Sequence, residues 1–163
     1  MSAIISVVQN CGSYAGGEEV AKNIFYFLPV QNCYASKNDN PILIPESGKI
    51  YSYEVWIRFR CDYPPNLKCD NFKVWRGSEI PSGYKITVNN PSISEYSEPV
   101  NSPSTKGNRV DFSTIDDTNK ITVNGTLVNV GDYTEWLVFQ LEVESSSPPL
   151  DGSVLVYYQY DEQ

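Results

Sequence analysis

The sequence predicts an all-β fold: a single-domain, two-sheet β-sandwich over residues 1–163, jelly-roll or immunoglobulin-like in architecture. Three observations predict it. Apolar and polar residues alternate with period 2 through most of the chain after residue 50, turn signals separate the alternating runs, and no long stretch carries a clear helical period. The immunoglobulin Cys…Trp…Cys pattern is missing, so the likeness to that fold is one of architecture only. With 163 residues, 40% hydrophobic and 13% aromatic, the chain can bury one core and is too apolar for a disordered polymer.

Taken in order, Ile4 to Val8 predicts a first strand. Asn23 to Leu28, ended by Pro29, fits either a helical face made by Val20, Ile24, Phe27 and Leu28 or a buried strand. Its β-branched and aromatic content favours the strand. Residues 1–45 are therefore read as N-terminal strands or an arm. Ile50 to Arg60 is a long strand, with Tyr51, Tyr53, Val55, Ile57 and Phe59 on the buried face. Its opposite face carries Ser52, Glu54, Trp56, Arg58 and Arg60. Asn71 to Trp75 repeats the pattern, and Pro81-Ser82-Gly83 turns the chain into a short strand, Tyr84 to Val88.

Residues 89–107, rich in Pro, Ser and Asn, form a long connection of the kind that often carries function. Ile121 to Val128 reads as a hairpin around Asn124-Gly125, the dipeptide suited to a type I′ turn. Asn124-Gly125-Thr126 is also a glycosylation sequon, discounted because no secretory signal precedes it. Tyr133 to Val143 is the second long strand, with Leu137, Phe139, Leu141 and Val143 opposite Trp136, Val138, Gln140 and Glu142. A Ser/Pro turn over Ser145 to Gly152 leads to a last strand, Val154 to Tyr160.

Composition narrows the chemistry. The chain has no His, which removes Ser-His-Asp and Cys-His catalysis, His-ligated metals and imidazole switches. Against 12 Lys and Arg stand 20 Asp and Glu, a net charge of −8 that disfavours direct binding to nucleic acid. No apolar run is long enough for a membrane helix, and the N-terminus has neither the basic start nor the apolar length of a signal peptide. A cytosolic origin would keep Cys11, Cys33, Cys61 and Cys69 as thiols, and their spacing gives no zinc pattern. Cys61 and Cys69 bracket a loop and could bridge across it; two buried thiols at strand ends are the favoured reading. Asp116, Asp117 and Asn119 form the densest oxygen cluster and are weak calcium candidates, but the EF-hand glycine and terminal Glu are missing, which favours a solvated turn. Glu18-Glu19 and Asp161-Glu162 are adjacent pairs whose side chains diverge on a strand, which does not suit acid–base work. No catalytic residue and no cofactor is expected.

The aromatic residues remain. Trp56, Trp75 and Trp136 all lie opposite the stronger apolar face of their strands, and Arg58 and Arg60 share the Trp56 face. Such a face is either covered by the protein itself or anchors a protein interface, with sugar stacking a third option. The interface candidates are thus Trp56, Trp75, Trp136, Arg58, Arg60 and Tyr158 of the last strand.

The run Gly48-Lys49-Ile50-Tyr51-Ser52-Tyr53-Glu54-Val55-Trp56-Ile57-Arg58 resembles a G-E-x-F-S-x-E-x-W-I-R segment of small phage structural proteins. Asn71-Phe72-Lys73-Val74-Trp75 is similar to their N-I-K-F-W, and Gly131 to Val143 to their Y-S-D-Y-I-V-L-Q-L-x-V. The tail, Tyr158-Gln159-Tyr160-Asp161-Glu162, is similar to a closing F-x-Y-D-E. The resemblance covers residues 48–162 and departs at Cys61 and Cys69. It implies a non-enzymatic virion component assembled in a host cytoplasm: a capsid decoration or cement protein, with a tail or neck component as the alternative. Its partners would be the major capsid protein or other virion subunits, with homo-oligomers in the assembly and no contact with nucleic acid or membrane. A carbohydrate-binding module on Trp56, Trp75 and Trp136 is the alternative from another class. The net negative charge suits a particle's outer surface, where like charges keep particles apart.

Overall fold

The computed structural model describes residues 2–149 and 151–163; Met1 and Leu150, the latter inside the expected Ser145–Gly152 turn, lie outside the described residues. Ten strands follow in chain order: β1 (Ile4–Asn10), β2 (Glu19–Ala21), β3 (Lys49–Tyr51), β4 (Val55–Tyr63), β5 (Cys69–Arg76), β6 (Tyr84–Asn89), β7 (Arg109–Asp111), β8 (Ile121–Val123), β9 (Leu137–Glu144) and β10 (Val156–Glu162). A 3-10 turn, Phe112–Thr114, follows β7, and the Asp111 side chain caps it by accepting from the Ser113 N–H. The larger sheet runs β2-β1-β4-β9-β6-β7, with β3 also on β9; the smaller runs β10-β5-β8. Every pairing is antiparallel.

The two sheets bury their alternating apolar faces against each other. Val55, Ile57, Phe59 and Cys61 of β4 and Leu137 and Phe139 of β9 meet Cys69, Phe72 and Val74 of β5 and Ile121 and Val123 of β8. Phe59 and Phe72 stack across the layer, ring centroids 5.2 Å apart. This is the two-sheet β-sandwich the alternation predicts, and it is not closed into a barrel.

Three local expectations need correction. Ile50 to Arg60 is not one strand. Tyr51 pairs with Glu142 and Val55 with Phe139, so three residues oppose two and the strand bulges at Ser52–Glu54. The bulge turns Ser52 and Glu54 into buried positions and leaves Tyr51 and Tyr53 half-buried, reversing the expected faces there.

Second, Asn23 to Leu28 is not a strand. The outer edge of β1 is already taken by β2, and residues 22–48 run irregularly, with Phe25 and Phe27 tucked against the core and the Leu28 carbonyl accepting from the Tyr53 N–H.

Third, the chain does not reverse at Asn124-Gly125. Val123 pairs with Phe72 and Leu127 bridges to Cys69, so the chain continues along β5 in the same direction. Gly125 serves a close approach: a Cβ there would lie 2.7 Å from the Thr134 Cα.

Cysteine chemistry also departs in part from expectation. Cys11 and Cys33, with Cα atoms 5.9 Å apart, form a disulfide that ties the irregular segment to the end of β1. Sequence distance hid this pairing, because the irregular run folds back on itself. Cys61 and Cys69 are buried thiols, and burial pushes both thiols up from their ordinary range.

Candidate interaction surfaces

A second apolar cluster lies on the outside of the larger sheet. Trp56 and Trp136 project from the face of β4 and the approach to β9 that points away from the main core, with Val138 beside them. Residues 89–107 fold down over them, placing Ile93 and Tyr96 on top. Tyr96 and Trp56 meet edge to face at 4.8 Å, and Trp56 and Trp136 at 6.0 Å. The loop is held by a backbone pair between Ile93 and Trp136, with N–H to carbonyl distances of 3.0 and 2.8 Å.

Buried polar side chains complete its attachment. The Asn89 amide donates to the Trp136 carbonyl and accepts from the Val138 N–H. Gln140 donates to the Ser102 carbonyl and accepts from the Ser104 N–H. Glu54 accepts from the Trp56 indole at 2.9 Å and from the Val100 N–H. Arg109 lies in the same covered layer, donating to the Val138 carbonyl and the Thr87 hydroxyl. Burial pulls its guanidinium down to about 10, opposed by the Glu54 charge.

Trp56 and Trp136 are 0% and 2% exposed, so neither is an interface residue. Their face is covered by the protein's own loop, and that loop is not a free docking arm. Glu54 and Gln140, which share this face, satisfy backbone groups of the loop. Arg58 is also internal to this layer. Its guanidinium contacts the Tyr133 and Trp136 rings and pairs with Glu19, which also accepts from the Tyr133 hydroxyl. Arg60 is half-buried, pairing with Asp62 at 2.7 Å, and Asp62 in turn accepts from the Ser6 hydroxyl. An open groove of about 580 Å³ runs beside the loop; its Ser92 and Asn124 side chains both donate to Glu135.

The remaining candidates lie on the smaller sheet. Trp75 is half-buried on its outward face, edge to face with Tyr157 at 5.8 Å. The Lys120 ammonium sits 4.1 Å over the Trp75 ring and donates to the Gln159 side chain. That ammonium occupies a ring face on which a sugar would stack. Tyr158 points the other way, against Phe59 at 5.0 Å, yet keeps 43% of its surface exposed because β10 is an edge strand.

Asp116, Asp117 and Asn119 close a turn upon themselves. Asp116 accepts from the Thr118 N–H and hydroxyl, which holds its carboxyl below the usual range, and Asn119 accepts from the Asp116 N–H. Among the described residues, no group of three acidic or cysteine side chains is placed to hold a metal ion.

The surface that sequence reading left vague is the disulfide-tied N-terminal part. Tyr14, Ile24, Tyr34 and Leu43 are between 64% and 74% exposed there. The exposure of Ile24, Tyr34 and Leu43 follows from the lack of strand periodicity over residues 22–48, which gives these side chains no sheet face to enter; Tyr14 stands in the turn between β1 and β2.

Compared with known proteins, the chain matches no family model, no curated protein and no solved structure.

Proposed function

We propose that the chain is a non-enzymatic structural subunit of a phage or related virion, a decoration or cement protein that attaches to the capsid lattice. The class is suggested by the strand-residue resemblance over residues 48–162. The observation that carries the attachment is the set of large apolar side chains Ile24, Tyr34 and Leu43, held exposed on an irregular segment that the Cys11–Cys33 bond ties down, with Tyr14 exposed in the turn between β1 and β2. Side chains of this size left outside a core favour a partner surface, and a tethered segment loses less entropy on docking than a free arm. The sandwich and its covered second face act as the rigid body behind that segment.

Copurification tests this. Particles purified from a host expressing the chain contain it in fixed stoichiometry to the shell protein or, for a tail or neck component, at a few copies per particle. A monodisperse chain absent from every particle fraction removes the proposal.

A further inference from the structure

We infer that β10 is a self-association edge: two copies pair antiparallel through this strand about a two-fold axis at Gln159, joining their smaller sheets into one six-stranded sheet. This inference stands apart from the virion reading, since it concerns copies of the chain itself and a different surface.

Several observations lead to it. β10 pairs with β5 on one side only, and among the described residues no backbone hydrogen bond reaches its other side. That open side presents a row of unpaired N–H and carbonyl groups, whose natural complement is another extended strand. Around it, Leu155, Val156, Tyr157 and Tyr158 are between 42% and 55% exposed. The usual protections of an edge are missing from 155–160, which contains no Lys, no Pro and no charge. The bulge in this pair does not protect the edge either. Between Gln159↔Lys73 and Asp161↔Asp70 the additional residue belongs to β5, where Asn71 takes the left-handed conformation at φ 55°, so β10 keeps a regular edge.

The side chains select a second copy as the occupant. An antiparallel pairing centred on Gln159 sets Tyr158 opposite Tyr160 of the other copy, twice by symmetry. This extends the inward aromatic row in which Tyr158 contacts Phe59 and Tyr160 stacks on Phe72 at 5.3 Å. On the outward face it sets Asp161 opposite Tyr157 of the other copy and diagonal to its Gln159. The Lys120 ammonium already lies there, 2.8 Å from the Gln159 amide oxygen. Lys120 has no carboxylate partner among the described residues, so the two-fold supplies one to each copy. The same axis keeps like charges from facing each other directly.

Sedimentation velocity over a wide concentration range tests the inference on the full chain. The expected species is a dimer of twice 18.4 kDa in equilibrium with monomer. Lys120→Asp and Asp161→Lys each weaken it by about tenfold in Kd, two exposed ion pairs being lost at once. The double exchange restores it, and Leu43→Lys on the N-terminal segment leaves it unchanged. Circular dichroism confirms that each variant is folded. A chain that stays monomeric at every concentration overturns the inference, as does a dimer whose Kd ignores both charge changes.

Discussion

The guanidinium carbon of Arg58 in β4 lies 4.2 Å from the ring centroid of Trp136, the residue that immediately precedes β9, on the face that residues 89–107 cover. Tyr133 adds a second ring at 3.5 Å and Glu19 a carboxylate at 3.2 Å, so the cation is held by two π faces and a counter-ion under low solvent exposure. Arg58→Ala is expected to cost about 2–3 kcal/mol in urea unfolding, since Glu19 is left without its cation. Arg58→Lys recovers only part, because an ammonium has no plane to stack. An unchanged midpoint for Arg58→Ala would contradict the clamp.

The covered tryptophans make a spectroscopic prediction. Acrylamide is expected to quench native fluorescence weakly, and replacing Trp75 by Phe removes most of the quenchable part. Trp136→Ala should lose about 3–5 kcal/mol of stability through the cavity left beneath residues 89–107. Strong quenching that survives Trp75→Phe would show that the loop does not cover Trp56 and Trp136.

What the sequence made legible here was periodicity, and what it hid was who covers whom. The alternation at Val55–Phe59, Phe72–Val74 and Leu137–Phe139 marks the main core correctly because one side of each strand packs on the opposite sheet. The same alternation leaves open whether the face of Glu54, Trp56, Trp136 and Gln140 is covered by the protein itself or anchors an interface, and the structure covers it. A second covered face looks polar when the covering element is a loop whose backbone N–H groups need Glu54 and Gln140 as acceptors and whose Pro91 carbonyl takes the Asn89 amide as donor. Gly125 was misread for a related reason. A turn glycine and a glycine required by a close neighbour such as Thr134 are identical in one dimension. The Cys11–Cys33 pair depends on how residues 22–33 fold back, which no local pattern encodes.

The cysteines separate into two classes. In the native oxidised chain a thiol reagent is expected to find no reactive group, since Cys61 and Cys69 are buried with raised thiols; after unfolding without reductant it finds two. Reduction, or Cys11→Ser, should lower stability by about 3 kcal/mol, the loop entropy that a bond across 22 residues removes from the unfolded chain. Four titratable thiols in the oxidised, unfolded chain would contradict the pairing.

Acid stability follows from Asp132. Its carboxylate accepts from the Asn129 and Val128 N–H groups, each at 2.8 Å, and these bonds hold its carboxyl below the ordinary value. A depressed folded value means that the contribution is complete above the unfolded value near pH 4 and is lost as pH falls through the folded one. Asp132→Asn should therefore reduce stability at pH 7 and narrow its gap to the parent protein below about pH 3. A constant gap across that window would show that the carboxylate's charge plays no part.

The most direct test of the central claim, that this is an attaching subunit which docks through its tethered N-terminal segment, is cosedimentation of the purified chain with purified virions or empty shells. The parent protein is expected to pellet with particles and saturate at a fixed ratio to the shell protein. Tyr34→Glu combined with Leu43→Glu, on residues exposed in the free chain, should remain folded and stay in the supernatant. Parent protein that remains in the supernatant at every particle concentration would contradict the account; binding that the double variant leaves intact would contradict the segment's role.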